Sequence, residues 1–209
     1  MSTFITSDTH LGHKKILEYT GRPFNSVGHM NEAFISNFNS VLDDDDLLII
    51  VGDAVMGRRD ENLPLFDRIR GKKLLIAGNH DYIHPMHSKA QREKWMPVYE
   101  EHFDAIVSET RIFVADAGIF VVNHFPYAGD HQENRYDAAK IDLYRPVDEG
   151  KWLLHGHVHS QAALWGPRQI HVGIDADYTP YGVDRYHPIP VGVLAQVKRE
   201  AIEGPDDHE

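Results

Sequence analysis

Short apolar runs rich in isoleucine, valine and leucine recur along this chain, and several are followed at once by polar or charged residues. Apolar runs of roughly four to eight residues with many β-branched side chains are typical of buried β-strands. The predicted strands are Phe4–Ser7, Leu47–Val51, Lys73–Ala77, Arg111–Ala115, Ile119–Asn123, Trp152–His155, Gln169–Val172 and Val191–Val197. The chain is therefore expected to build its core around β-sheets.

Helical patterns lie between several of these strands. The clearest is an apolar stripe from Met30 to Leu42, whose members fall on one face of a helix that Ser26 can cap. Weaker patterns predict helices over Asp60–Arg70 and Lys89–Phe103. Strands that first alternate with helices and then follow one another predict an α/β fold with mixed sheets.

Length and composition limit the organisation of the chain. The 209 residues, of which 42% are hydrophobic, predict a single domain over residues 1–209 that ends in an acidic tail, 203–209. Because there is no cysteine, disulfides, thiolate metal sites and thiol catalysis are excluded. Neither a secretion signal nor a membrane-spanning run is recognisable, so a cytoplasmic protein is expected.

The charged residues argue against one class of partner and for one class of cofactor. With 21 basic and 32 acidic residues the formal net charge is −11, so binding to long nucleic acid is not expected. The 15 histidines are spread along the chain, often beside aspartate, asparagine or glycine. This distribution indicates metal binding.

Five predicted strands are each followed by residues of metal-binding type. The fragments are Asp8-Thr9-His10, Gly52-Asp53, Gly78-Asn79-His80-Asp81, Asn123-His124 and Gly156-His157-Val158-His159. Each fragment alone is compatible with a turn or a structural hydrogen bond, whereas all five together indicate one site at the strand ends. Carboxylate, imidazole and amide ligands suit Mn²⁺, Fe, Zn²⁺ or Ni²⁺. The ligands are too many for one ion, which predicts two ions that share a carboxylate bridge.

In this order the fragments resemble the motif series of the calcineurin-like metallophosphoesterase superfamily. The opening Ser7-Asp8-Thr9-His10-Leu11-Gly12-His13, with Arg22-Pro23-Phe24 after it, is similar to the small phosphohydrolase branch of bacteria and their phages. The resemblance extends from about Phe4 to about Tyr181. It implies a two-sheet α/β sandwich flanked by helices, with the metal site at the C-terminal ends of the strands.

The resemblance also implies a role for each motif residue, with Mn²⁺ as the favoured metal. Asp8, His10 and His159 would hold one ion, Asn79, His124 and His157 would hold the other, and Asp53 would bridge them. His80 would face the substrate phosphate rather than a metal ion, and Asp81 would orient His80.

A site of this kind predicts the hydrolysis of phosphate esters. Two cations neutralise the ester, and a water shared by both becomes the attacking hydroxide near neutral pH. His80, with Asp81 beside it, is the candidate donor of a proton to the leaving oxygen. His13 and Arg22 are candidate contacts to the substrate phosphate, although either could instead make a structural bond. His155 is expected to pack on the face of its strand opposite the His157 loop.

The substrate is less constrained than the chemistry. The resemblance suggests a phosphodiesterase for small nucleotides, with 2′,3′-cyclic nucleotides as one class. A phosphomonoesterase, including a phosphoprotein phosphatase, is the alternative. A catalytically inactive binding module is a third reading, against which the presence of Asp53, Asn79 and His80 argues. The oligomeric state is left open. Aromatic residues that could stack on a base, or could equally be core, are Tyr127, Tyr136, Tyr144 and Trp95.

Overall fold

The structure is a computed structural model, and it describes residues 1–129 and 138–203. Its strands are β1 Thr3–Thr6, β2 Leu47–Ile50, β3 Lys72–Ile76, β4 Ala105–Val107, β5 Glu109–Val114, β6 Gly118–Asn123, β7 Trp152–His155, β8 Leu164–Gly166, β9 Gln169–His171 and β10 Ile189–Pro190. Its α-helices are α1 Ile16–Thr20, α2 Val27–Val41, α3 Arg59–Asn62, α4 Lys89–Glu100, α5 Ala138–Asp142 and α6 Val193–Glu203. Two 3₁₀ helices cover Leu63–Arg68 and Thr179–Tyr181. The acidic tail falls almost wholly in residues 204–209, outside the described part of the chain.

The strands form two five-stranded sheets. The first has the order β10-β1-β2-β3-β4, in which β1 to β4 are parallel and β10 is antiparallel to β1. The second has the order β5-β6-β7-β9-β8, with a parallel centre formed by β6, β7 and β9. A bridge between Ser7 and Gly173 joins the end of β1 to the chain that follows β9. The C-terminal ends of the central strands of both sheets therefore meet.

Side-chain alternation along the strands places apolar residues in two layers. In β2, Ile49 packs between the sheets, whereas Leu48 and Ile50 face the helices that cover the first sheet. The layer between the sheets includes Phe120 and Leu154 from the second sheet. The predicted α/β sandwich of two sheets flanked by helices is confirmed.

Most strand predictions agree with the structure to within two residues, but the last one is wrong. The segment Val191–Val197 was expected to be a strand, and it instead follows the two-residue β10 and enters helix α6. Leu194 and Val197 are buried three residues apart, which is the spacing of one helix face. The run of small and branched apolar residues in this segment is too short to distinguish a strand from the first turn of a helix.

The helix predictions hold to different degrees. Helix α2 begins after Ser26, whose hydroxyl accepts a hydrogen bond from the His29 amide at 3.1 Å, as expected for a cap. The predicted helix over Asp60–Arg70 is instead the short α3 followed by a 3₁₀ helix that has proline in its first turn. Strands β4 and β8 and helix α1 were not predicted, because three to five residues carry too little periodicity.

Candidate metal centre

The first group of candidate ligands combines residues that follow β1 and β7. The Nε2 atoms of His10 and His159 lie 3.2 Å apart, and each lies 3.8 Å from Oδ1 of Asp8. That Asp8 oxygen is buried and has no hydrogen-bond partner. Ligand atoms that bind one ion at about 2.0–2.2 Å are expected to be about 3–4 Å apart, so this arrangement fits a single divalent cation.

The second group combines residues that follow β2, β3, β6 and β7. Potential ligand atoms of Asp53, His124 and His157 lie within 4.8 Å of one another, and all three residues are buried. Oδ1 of Asn79 lies 3.0 Å from Nε2 of His124, which adds an amide oxygen to the set. The mixture of oxygen and nitrogen donors again fits a borderline divalent ion.

The Asp53 carboxylate lies between the two groups. Its Oδ2 is 3.6 Å from Nε2 of His10 in the first group and 3.5 Å from Nε2 of His124 in the second. Its Oδ1 accepts a hydrogen bond of 2.8 Å from the backbone amide of His80, which fixes the plane of the carboxylate. Oδ2 is therefore the atom placed to reach both groups.

The backbone that carries these residues is unusual. The predicted ligands Asp8, His10, Asp53, His157 and His159 all have positive φ, between 48° and 71°. A non-glycine residue in this region costs free energy, and such residues cluster at functional sites. The sharp turns point side chains from separate strand ends toward one place.

Two of the motifs begin with a glycine, and each of these glycines allows the loops to pack closely. A Cβ at Gly156 would lie 1.9 Å from Oγ of Ser7 and 2.4 Å from Oδ2 of Asp8. A Cβ at Gly78 would lie 2.5 Å from Oδ1 of Asp53. Any side chain at either position would displace a candidate ligand or its support.

An open cavity of about 640 Å³ lies against the first group. Its lining includes His10, His13, Met56, His80 and His159. The candidate metal centre is therefore reachable from outside the protein through a pocket rich in imidazole.

Comparison with known proteins decides the family. The sequence model of calcineurin-like phosphoesterases matches residues 1–177. The chain belongs to this family. It is 37% identical over 188 residues to the Gene 66 protein of Mycobacterium phage L5, an alignment that covers 84% of this chain and 87% of that protein. It is 34% identical over 185 residues to the Gene 66 protein of Mycobacterium phage D29, covering 84% and 88% of the two chains.

A solved structure shares the fold. The crystal structure of the protein of unknown function AQ665 from Aquifex aeolicus superposes with a TM-score of 0.61 at 23% identity, covering 97% of this chain and 98% of that one. Calcineurin-like phosphoesterases use divalent metal ions to act on phosphate esters, and this chain carries two groups of residues suited to such ions. Over residues 1–129 and 138–203 of this family member, no helix has the length and apolar character needed to cross a membrane.

A buried carboxylate that sequence reasoning missed supports the first group. Oδ2 of Asp175 lies 2.8 Å from Nδ1 of His159, so the other ring nitrogen of His159 is left to face the metal position. Asp175 also accepts two hydrogen bonds from Arg22, at 2.7 and 2.9 Å. Although burial raises the pKa of Asp175, the bonds from Arg22 and His159 hold it well below its usual range. A signal was available, since Asp175 follows a predicted strand just as the motif residues do.

The expectation that Arg22 contacts the substrate phosphate is corrected. Its side chain is buried, and it donates to the backbone oxygens of Thr9 and Asp8 at 3.0 and 2.7 Å as well as to Asp175. Its guanidinium group is engaged by Asp175 and by the loop that carries Asp8 and His10. Arg22 therefore makes structural bonds, which is the alternative to a phosphate contact that the sequence left open.

The role expected for Asp81 is also corrected. Asp81 is buried and accepts hydrogen bonds from the backbone amides of Asp53 at 2.9 Å and Gly78 at 2.8 Å, and no hydrogen bond joins it to the His80 ring. Burial, together with the nearby Asp53 carboxylate, raises the pKa of Asp81 to about 7. The residue holds two loops together rather than orienting His80.

His80 lies at the rim of the site. Its side chain is 40% exposed, and its Nε2 is 3.9 Å from Oδ2 of Asp53. Besides the bond from its amide to Asp53, its backbone oxygen accepts a hydrogen bond of 2.7 Å from Arg59. Arg59 in turn lies over the Tyr82 ring, 3.5 Å from its centroid. The backbone of His80 is thus fixed while its imidazole faces the cavity.

Charge interactions inside the centre are strong. Burial lowers the pKa of His10 well below its usual value. Burial would raise the pKa of Asp53, but the nearby His124 and His80 hold it well below its usual value. Although burial lowers the pKa of His124, the Asp53 carboxylate raises it to about 9. A cation at the second group would take the place of the His124 proton, so binding there should release protons.

The remaining candidates divide between the cavity and the core. His13 lines the cavity, and its ring centroid is 5.5 Å from that of His10. His155 is fully buried beside His171, as its packing role predicts. Of the aromatic residues proposed for stacking, Tyr127 is buried, Tyr144 packs on His84 and Trp95 packs on Tyr82, so none of these three lines the cavity. Tyr136 lies outside the described residues.

Proposed function

We propose that this chain is a two-metal phosphodiesterase that hydrolyses small nucleotide esters, 2′,3′-cyclic nucleotides among them. The observation that carries the proposal is the position of the Asp53 carboxylate, whose Oδ2 lies 3.6 and 3.5 Å from ring nitrogens of the two ligand groups. A single carboxylate oxygen placed between two ligand sets suits a pair of ions that act on one phosphate.

The ligand assignment in this proposal follows the two groups. Asp8, His10 and His159 would hold one ion, Asn79, His124 and His157 would hold the other, and both ions would share Asp53. Mn²⁺ is the favoured metal, since the donors are carboxylate, amide and imidazole with no thiolate. The bound ions would neutralise the phosphate and acidify the attacking water.

The chain's own residues supply proton transfer and alignment. His80 is the proposed proton donor to the leaving oxygen, because its ring faces the cavity and stands outside both ligand groups. His13 lines the same cavity and is the proposed contact to a phosphate oxygen. The fixed backbone of His80 limits the freedom that its ring would lose when substrate binds.

The small size of the proposed substrate agrees with the charge of the chain. At −11 the protein would repel a long polyanion, whereas one phosphate can bind through the two cations. A cytoplasmic location, where nucleotides are abundant, stays a prediction, as does the single domain over residues 1–209.

A substrate panel tests the proposal. Purified protein with added Mn²⁺ is assayed on a bis-aryl phosphodiester, an aryl phosphomonoester and a nucleoside 2′,3′-cyclic monophosphate. We expect cleavage of both diesters at a kcat/KM well above that for the monoester, and no cleavage with chelator present. Preference for the monoester would replace the proposal with a phosphomonoesterase, and metal-independent cleavage would contradict the proposed centre.

A further inference from the structure

A second cavity adjoins the first along a shared wall. It has a volume of about 520 Å³, and Tyr19, Thr20 and His159 line both cavities. His159 presents Nε2 to the first ligand group and Nδ1 to Asp175, which lines the second cavity. A molecule whose phosphate sits at the metal centre can therefore extend over this wall into the second cavity.

The shared wall carries an exposed aromatic ring. Tyr19 is 68% exposed, and its ring makes an edge contact with His13 at 6.1 Å between centroids. The segment is held on both sides, since Ile16 is buried in the core and Arg22 is fixed by Asp175. An exposed ring on an anchored segment is a stacking surface that loses little freedom when a ligand binds.

The charges around the second cavity cancel in pairs. Asp175 is neutralised by Arg22, and Arg185 lies 3.3 Å from Asp177. Among the described residues that line this cavity, a second phosphate would therefore find no unbalanced cation. The lining instead offers the Gln161 amide, the Arg185 guanidinium and a second aromatic residue, Tyr186. These groups suit a neutral, flat group with hydrogen-bonding edges.

We infer that the second cavity binds the planar heterocycle of a nucleoside esterified to the phosphate, with Tyr19 stacking on it. The inference rests on the proposed function, because the metal centre must hold the phosphate. Tyr19 would then determine which substrates bind, and it would take no part in the chemical step. Base stacking of this kind tolerates different bases, since every base has a π-face.

Two esters with the same leaving group provide the test. One is the nitrophenyl ester of a nucleoside 5′-phosphate, and the other is methyl nitrophenyl phosphate, so only the retained organic group differs. Removal of a stacking ring should raise KM for the nucleoside ester in Tyr19→Ala roughly tenfold more than KM for the methyl ester. Tyr19→Phe, which keeps the ring, should differ from wild type by less than about twofold on both esters.

The controls separate the inference from the proposed function. Phe113→Ala removes another exposed ring, 74% exposed on β5, and should leave both esters unchanged. Equal effects of Tyr19→Ala on the two esters would overturn the inference while leaving the phosphodiesterase intact. A selective loss in Arg185→Gln with none in Tyr19→Ala would replace stacking with a charge contact and overturn it also. If wild type with Mn²⁺ cleaves neither ester, the proposed function fails and the inference falls with it.

Discussion

Replacing Asp175 by asparagine should weaken one metal site although no candidate ligand is itself replaced. Oδ1 of Asp175 accepts from Nε of Arg22, and Oδ2 accepts from both Nη2 of Arg22 and Nδ1 of His159. Asparagine has one oxygen, so its NH₂ group must face at least one of these donors whichever way the amide turns. The variant also removes the negative charge that makes His159 a better ligand.

The expected loss can be set from what supporting residues of metal ligands contribute elsewhere. Their removal typically weakens metal binding by about 10–100-fold. That corresponds to about 1.4–2.8 kcal/mol. We expect the loss at one ion only, because Asp175 contacts His159 of the first ligand group, and the second group has its own support in the bond of 2.7 Å between His124 and the Val51 oxygen.

Calorimetric titration of metal-free Asp175→Asn with Mn²⁺ is the assay, with circular dichroism to verify that the variant is folded. Asp67→Asn is the matched control, since Asp67 also contacts a histidine, His102 at 2.8 Å, but on the surface and outside both ligand groups. The control should bind metal as wild type does. Unchanged affinity at both ions in a folded Asp175→Asn variant would refute the support that we assign to this carboxylate.

Three further predictions follow from individual contacts. His80→Ala should keep its metal ions and lose about 10²–10⁴-fold in rate on esters with an alkoxide leaving group, with a smaller loss on nitrophenyl esters. The measurement is kcat together with metal content. Loss of a metal ion would instead make His80 a ligand. Asp81→Asn should lower the free energy of unfolding by about 1–3 kcal/mol in urea titrations. The amides of Asp53 and Gly78 share one carboxylate oxygen and the amide of Ala54 donates to the other, so one side must face the NH₂ group of asparagine. Burial lowers the pKa of His171 to about 3, against about 6.5 for an unfolded chain, so the stability from its neutral ring is complete above pH 6.5 and falls as the pH drops toward 3. Between pH 7 and 5.5 the metal-free protein should lose about 1 kcal/mol of unfolding free energy from this residue. The unfolding free energy of His171→Asn should therefore depend less steeply on pH than that of wild type. An equal dependence would show that the ring is already charged in the folded protein.

The sequence predicts the strands of the site well because each strand combines an apolar run with an abrupt polar end. The loop after β2, with Gly52 and Asp53, shows why: the strand must be buried on both faces, and the polar residue must follow where the sheet ends. Local signals of this kind do not depend on distant partners. They are therefore enough to predict that the candidate ligands lie at the ends of the strands.

The roles of Arg22 and Asp81 could not be predicted because each depends on a partner that is distant in sequence. Arg22 is paired with a carboxylate 153 residues away, and Asp81 bonds an amide 28 residues away. An arginine beside a metal motif is equally suited to a phosphate or to a buried carboxylate, and only packing decides between them. Tyr19 was missed for a related reason, since nothing in its local sequence indicates that two cavities meet at its ring.

We propose that Asp53 bridges two metal ions, and the number of ions bound per chain tests this role most directly. Metal-free protein is saturated with Mn²⁺, and the metal-to-protein ratio is measured by mass spectrometry alongside the electron paramagnetic resonance spectrum. We expect two ions per chain with a spin-coupled spectrum, and in Asp53→Ala a reduced ratio, no coupling and no turnover, because the shared oxygen of this carboxylate lies between both groups. A single uncoupled ion at saturation, or an Asp53→Ala variant with two tightly held ions and wild-type turnover, would contradict the account.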